Sequence, residues 1–224
     1  MENEILTEEQ PITEEKPMNE NPTIEEIERF VINSGSDSLA VFGGEFEGGV
    51  RSQQVPDEFA PCIYAIIESD IVVKSYLEIG VAAGGSTFLI NHFFSPDKIV
   101  LIDDNQHPKA SYRKYILVDV DHQLIAGWST DLNVVEQVKQ SGPYDLMLID
   151  ADHAYAAVKI DAALYLPMLR PGGFVIFHDS AYFPDDVGRV VSELKEDPGF
   201  EFIDNFISKV HAPCGMALFK KNES

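Results

Sequence analysis

Basic residues are scarce in this sequence. Lys and Arg number 16 against 38 Asp and Glu in 224 residues, a formal charge of −22. Such a field repels phosphate polyanions and acidic lipid headgroups, which argues against nucleic-acid and membrane-surface partners. Cysteine is nearly absent: Cys62 and Cys214 stand far apart without CxxC spacing. A disulfide framework is therefore excluded, and two reduced thiols in a reducing cytoplasm are expected. No apolar run approaches the ~20 residues of a membrane span. The opening Met1-Glu2-Asn3-Glu4 is acidic where a secretory signal is basic and then apolar, so a soluble cytoplasmic protein is expected. Apolar residues are not lacking: at 45% they exclude wholesale disorder.

Composition divides the chain. Residues 1–22 hold Glu, Thr, Asn and three prolines with few large apolar groups, so a flexible acidic arm is expected. Through Glu28 ten acids face only Lys16, which places nine of the net negative charges in this end; its expected role is solvation rather than partner binding. Residues 23–70 form a second zone of helices and a Gly-rich loop. Thr23 and Glu26 make a capping-box pattern ahead of Ile24, Ile27, Phe30 and Val31, which share one helix face. Gly43–Gly49 reads as a mobile loop, and Pro56 opens a second helix through Ile67.

From residue 71 to 224 short apolar runs alternate with helical stretches. Strands are predicted at Ser75–Ile79, Lys98–Ile102, Gln123–Ala126, Tyr144–Ile149, Gly173–Phe177, Glu201–Phe206 and Gly215–Lys220. Helices are predicted at Ser86–Phe94, Lys109–Tyr115, Asp131–Gln140, Tyr155–Leu169 and Asp186–Glu196. Strands apolar throughout, each followed by a crossover helix, imply a parallel sheet buried on both faces. Only Ser208–Pro213 separates the final two strands, too little for a parallel crossover, so the last strand is expected antiparallel. The predicted fold is α/β: a doubly wound, mostly parallel seven-stranded sheet.

In open α/β sheets, ligands bind at the carboxyl ends of the strands. The first such end reads Tyr76-Leu77-Glu78-Ile79-Gly80-Val81-Ala82-Ala83-Gly84-Gly85-Ser86-Thr87. The G-x-G-x-x-G of nicotinamide enzymes is missing, because Ala82 stands where its second glycine belongs. Glu78, two residues before Gly80, would repel a pyrophosphate but tolerate a cationic or zwitterionic ligand. Asp103 ends the second strand, about 20 residues past the glycines, where an acid can accept both ribose hydroxyls; Asp104 lies beside it. The pattern Leu77-Glu78-x-Gly80-x-x-x-Gly84-Gly85-Ser86-Thr87 resembles the first motif of class I S-adenosylmethionine-dependent methyltransferases. That resemblance implies S-adenosylmethionine as cofactor, with Asp103 on its ribose and Ser86 on its carboxylate; read alone, Ser86 is equally an N-cap or first-turn serine. Ala126-Gly127-Trp128-Ser129 resembles the Gly-Asp-Ser stretch of catechol-type O-methyltransferases, whose side chains border adenine. Trp128 replaces the acid and either stacks on adenine or is a packing residue. Gly80, Gly84, Ser129 and Asp150 complete the implied cofactor-binding set with Glu78.

Asp150 ends the fourth strand, and His178-Asp179 ends the fifth. Neighbouring strands are ~4.8 Å apart, so these groups can converge. Two carboxylates and an imidazole suit a divalent cation such as Mg²⁺ or Mn²⁺. Together with Leu169-Arg170-Pro171-Gly172-Gly173, residues from about 50 to 220 are similar to metal-dependent small-molecule O-methyltransferases, including the macrolide-sugar and cephalosporin-hydroxylase-like branches. In the catechol-type enzymes the metal is held by the acid matching Asp150 and by an Asp-Asn pair matching Asp179-Ser180. In the sugar branch the pair is Glu-Asp, matching His178-Asp179. This chain departs from both at Ser180 and His178, while Asp150 and Asp179 fit either. The resemblance thus implies Asp150, His178 and Asp179 as ligands; without it, Asp179 is a turn cap and His178 a strand-end histidine. His153, three residues after Asp150, falls where the sugar branch has a His and the catechol-type enzymes a Lys, which implies a general base.

The implied reaction is methyl transfer to a hydroxyl of a small molecule, by in-line attack on the sulfonium methyl. Lid residues are sought in Gly43–Gly49 and in Ala181–Val187, with Gln53 and Gln54 also near the site. Competing readings are a nicotinamide-dependent oxidoreductase, opposed by the missing fingerprint, and a non-catalytic cofactor-binding protein on the same fold. A nucleic-acid methyltransferase is opposed by the charge and by the lack of an Asn-Pro-Pro-Tyr motif. The N-terminal helices are plausible dimerisation elements, so a homo-oligomer stays open.

Overall fold

The computed structural model describes residues 22–35 and 49–223. The arm over residues 1–21, and most of the loop Gly43–Gly49, lie outside the described residues. Helix α1 (Ile24–Ser34) starts at Thr23, whose hydroxyl accepts from the Glu26 N–H while the Glu26 carboxylate accepts from the Thr23 N–H. This is the predicted capping box, which satisfies two of the N-terminal donors a helix leaves unpaired. Helix α2 (Pro56–Ile67) follows, with Pro56 in the first turn, where its missing N–H costs nothing.

Seven strands then form one sheet: β1 (Ser75–Ile79), β2 (Lys98–Asp103), β3 (Gln123–Ala126), β4 (Tyr144–Ile149), β5 (Leu169–His178), β6 (Phe200–Phe206) and β7 (Met216–Lys221). Their order is β3-β2-β1-β4-β5-β7-β6. β1 pairs in parallel with both β2 and β4, so the strand order reverses beside β1. β7 runs antiparallel between β5 and β6, as the short link demands. The crossovers carry α3 (Gly85–Phe94), a 3₁₀ turn at Ala110–Tyr112 leading into α4 (Arg113–Ile116), α5 (Leu132–Ser141), α6 (Tyr155–Tyr165) and α7 (Val187–Leu194). The predicted helix Tyr155–Leu169 stops early at Tyr165. Pro167 has no N–H to continue the ladder, so Leu166–Met168 tightens into a 3₁₀ turn and β5 begins at Leu169.

Period-two alternation explains the two-faced core. Leu77, Ile79, Val100, Met147, Val175 and Phe177 point to one face, packed with residues of α5, α6 and α7. Tyr76, Ile99, Leu101, Leu146, Leu148 and Ile176 point to the other, against Ile27 and Val31 of α1, Phe59 and Ile63 of α2 and Leu89 of α3. The two N-terminal helices thus share one core with the sheet. No helix among the described residues is long and apolar enough to cross a membrane.

Candidate active site

The turn after β1 is shaped by contacts that exclude side chains. Gly80 has φ +85°, and a Cβ there would lie 2.0 Å from the Asp150 carbonyl oxygen. Gly85 opens α3 with the backbone of Val50–Ser52 laid directly on it; a Cβ would meet Ser52 Cα at 2.6 Å. Asp103 holds this turn in place. Its Oδ2 accepts the N–H groups of Val81 (2.9 Å) and Ala82 (3.0 Å), and its Oδ1 accepts from Asn105 N–H (2.7 Å). Arg113 pairs with the same carboxylate at 2.9 Å and donates to the Ala82 carbonyl. Burial pushes the Asp103 pKa up, but the Val81 N–H and Arg113 outweigh it, and the group lies below its usual value. Ala82 is thereby held at φ +46°, a left-handed conformation that non-glycine residues rarely adopt.

Glu78 differs from its expected role. It is fully buried and outside the cavity wall. Its carboxylate accepts from Tyr76 OH (2.9 Å), Thr87 Oγ1 (2.5 Å) and Ser86 Oγ. It braces the loop from beneath. Burial raises its pKa to about 7 against those three donors. Gly84 likewise stays off the wall: it caps α3 in the left-handed region and packs on Leu117. Ser86 does line the cavity, with its hydroxyl turned to Glu78.

A cavity of about 710 Å³ runs from this turn across the carboxyl ends of β2, β1, β4 and β5. At one end stand Asp103, Asp104, His107, Trp128 and Ser129. Trp128 is 61% exposed, which removes the packing alternative for that residue. Ser129 is gripped from behind by α6: its carbonyl accepts from Tyr165 OH at 2.6 Å, and its hydroxyl bonds the buried Asp161.

At the other end four side chains meet. His153 Nε2 lies 2.9 Å from Asp179 Oδ2 and 3.5 Å from Asp150 Oδ1. His178 Nδ1 lies 3.2 Å from Asp150 Oδ1 and 3.4 Å from Asp179 Oδ2. All four residues expected to carry the chemistry are therefore together, at the ends of β4 and β5. Asp179 takes φ +62°, a strained turn that aims its carboxylate inward. The two His Nε2 atoms are buried and make no hydrogen bond, so the His153 approach to Asp179 is close without being well directed. Burial disfavours each charge, but mutual attraction wins: Asp179 is held down to about 2, Asp150 well below the carboxylate range, and His153 up to about 9. His153 also stacks on Phe183, ring centroids 4.6 Å apart, with Tyr182 set edge-on to that ring.

This donor set fits a divalent cation. Asp150, His153 and Asp179 offer ligand atoms within 4.8 Å of one another, as do His178, Asp179 and Cys214. Donors about 2.1 Å from an ion stand roughly 3.0–3.4 Å apart at octahedral or tetrahedral angles, close to the spacings above.

Several contributors escaped the sequence reading. Arg113, on a short helix far from any motif, is one. Glu58 is another: fully buried on α2, it accepts N–H groups from Ser208 (2.8 Å), Cys214 (3.1 Å) and Gly215 (2.8 Å). The Cys214 carbonyl in turn accepts from the N–H groups of Ala181 and Tyr182, so Glu58 pins the segment that pins the turn after β5. Pro56-Asp57-Glu58 read only as the opening of a helix. Gln54, placed near the site from position alone, donates to Asp150 Oδ2 at 3.4 Å.

Comparison with known proteins agrees with this geometry. Residues 77–180 match a family model described as a methyltransferase domain. A curated relative, mycinamicin VI 2''-O-methyltransferase of Micromonospora griseorubida, is 28% identical over 125 residues, half of this chain but only 29% of that protein. Among solved structures, an O-methyltransferase from Bacillus cereus in complex with SAH superposes with a TM-score of 0.60 at 14% identity, covering 92% of each chain. The MycE methyltransferase of the mycinamycin pathway, in complex with Mg, SAH and mycinamycin VI, gives 0.53 at 18% identity, covering 84% of this chain and 54% of that one. Strand order and the glycine turn are those of the class I methyltransferase fold, and the family match spans its first five strands.

Proposed function

We propose that the protein is an S-adenosylmethionine-dependent O-methyltransferase acting on a hydroxyl of a small molecule. The observation that carries this is one continuous cavity joining the glycine turn and Trp128 to the Asp150–His153–His178–Asp179 cluster. Two of the named relatives are O-methyltransferases, and the MycE methyltransferase is solved with mycinamycin VI, which supports the reaction class.

In this reading Gly80 and Gly85 let the cofactor approach the backbone; Asp103, expected on the ribose, is engaged by the Val81, Ala82 and Asn105 N–H groups and Arg113 and braces the turn facing it, while the neighbouring Asp104 faces the ribose. Trp128 and Ser129 border the adenine. Asp150, His178 and Asp179 hold a divalent cation; when bound, it supplies positive charge that acidifies a neighbouring hydroxyl and offsets the two carboxylates. His153, one-third exposed and lining the cavity, is the general base for the acceptor hydroxyl, a role that requires its imidazole in the neutral form. Phe183 fixes its ring plane, and Tyr182 forms the outer wall against the acceptor. The leaving thioether is neutral, so no acid is required opposite the base.

Calorimetric titration with S-adenosylmethionine, with and without Mg²⁺, tests the reading. Saturable heat is expected; folded protein giving none under either condition would overturn it. NADH binding with S-adenosylmethionine inert would instead favour an oxidoreductase.

A further inference from the structure

The cluster at the ends of β4 and β5 is unusually rich in nitrogen for a site meant to hold a hard cation. Mg²⁺ dehydrates reluctantly and takes oxygen donors, whereas imidazole suits Fe²⁺, Ni²⁺ and Zn²⁺. Here His178, only 4% exposed, occupies the centre of the cluster, its Nδ1 within 3.4 Å of an oxygen of each carboxylate. A second imidazole nitrogen, His153 Nε2, approaches the same two oxygens from the cavity side. The Cys214 thiol completes a group with His178 and Asp179. His178 is carried on a strand buried on both sides and cannot turn away, and both His Nε2 atoms lack a hydrogen-bond partner. Buried polar atoms left without partners call for a ligand or a role.

We infer that this site selects a first-row transition-metal dication over Mg²⁺, with His178 as the discriminating ligand. The inference rests on the metal-assisted reading above and specifies its ion. Irving–Williams ordering alone favours later metals at most nitrogen-bearing sites. The discriminating evidence is therefore whether nitrogen is bound, and whether exchanging it for oxygen changes the ranking.

The protein, stripped with EDTA, is dialysed against equal concentrations of MgCl₂, MnCl₂, CoCl₂ and ZnCl₂, and bound metal is measured by mass spectrometry. About one equivalent of transition metal with little Mg²⁺ is expected. In Mn²⁺-loaded protein, pulsed electron paramagnetic resonance reads ¹⁴N coupling from directly bound imidazole. That coupling is expected in the wild type and in His153→Ala, which isolates His178 without disturbing the buried position. His178→Glu is expected to narrow the preference over Mg²⁺ by about tenfold or more. Retention of no ion would show the cluster to be a set of imidazolium–carboxylate pairs and overturn the inference. Equal retention of Mg²⁺, no ¹⁴N coupling, or an unchanged ranking in His178→Glu would overturn it too. S-adenosylmethionine is titrated into the same metal-free protein. Cofactor binding without ion retention sinks this inference alone; ion retention without cofactor binding sinks the methyltransferase reading and leaves this one standing.

Discussion

Two aspartates bracket strand β4, and they have opposite surroundings. Asp145, at its start, accepts from Lys74 N–H, from Ser75 N–H and Oγ, and from Arg170, all between 2.8 and 3.1 Å. Every neighbour that faces it donates to it. Asp150, just past the strand's end, faces two imidazoles, a weakly directed Gln54 and the Asp179 carboxylate just past the end of β5, with nitrogens left unbonded around it. The first acid closes the amino-end edge of the sheet. The second sits where protein groups alone do not complete the arrangement. Full satisfaction marks an acid that holds the fold; incomplete satisfaction marks one that acts on something else.

The sharpest test of that contrast exchanges the two. Asp150→Asn should lower methyl transfer by about a hundredfold to a thousandfold, the size of loss seen when one charge-stabilising group leaves an active site, while the protein stays folded. Full activity in that variant would erase the distinction. Asp145→Ala should do the reverse. Leaving the buried N–H and hydroxyl of Ser75 without their acceptor costs about 2–4 kcal/mol of unfolding free energy, read by urea titration, while the folded fraction keeps its cofactor affinity. Glu58 lies between these cases, as a stabilising acid whose partners reach the site. Glu58→Ala should cost about 2–3 kcal/mol and also weaken metal binding, and Glu58→Gln should recover part of both because it keeps an acceptor. Metal affinity unmoved in Glu58→Ala would make the residue purely structural.

The smallest effect concerns pH. The Glu78 carboxyl is raised from its usual 4.5 to about 7 by burial. A raised acid favours its protonated form in the fold, so its stabilisation is full below about 4.5 and is lost as pH climbs through 7. Stability of the wild type should therefore fall relative to Glu78→Gln between pH 5 and 8. Parallel curves would show that the three hydroxyl donors hold it ionised throughout.

Much of this was legible in residue order. Apolar strands with crossover helices imposed the parallel sheet, and the short link between the last two strands forced the antiparallel pair. Asp150, His153, His178 and Asp179 were readable because each follows a strand end by a fixed offset, and strand adjacency does the rest. Glu58 and Arg113 were not, because much of what they bind is backbone. Glu58 meets the segment 208–215 across about 150 residues, and Arg113 meets a carbonyl 31 residues away. Backbone acceptors and donors carry no side-chain signature. A different limit hid the role of Glu78: its position before the glycines marked it as ligand-facing, whereas strand alternation turns it inward with Tyr76.

Trp128 offers the most direct test of the central claim that this cavity takes S-adenosylmethionine. It is the sole tryptophan, it is largely exposed, and it lines the cavity that also holds the Asp150–His153–His178–Asp179 cluster. Titration with S-adenosylmethionine should therefore change its emission saturably, with the same midpoint in the absence of any acceptor. Emission that stays flat to millimolar cofactor, in protein shown to be folded, would contradict the account.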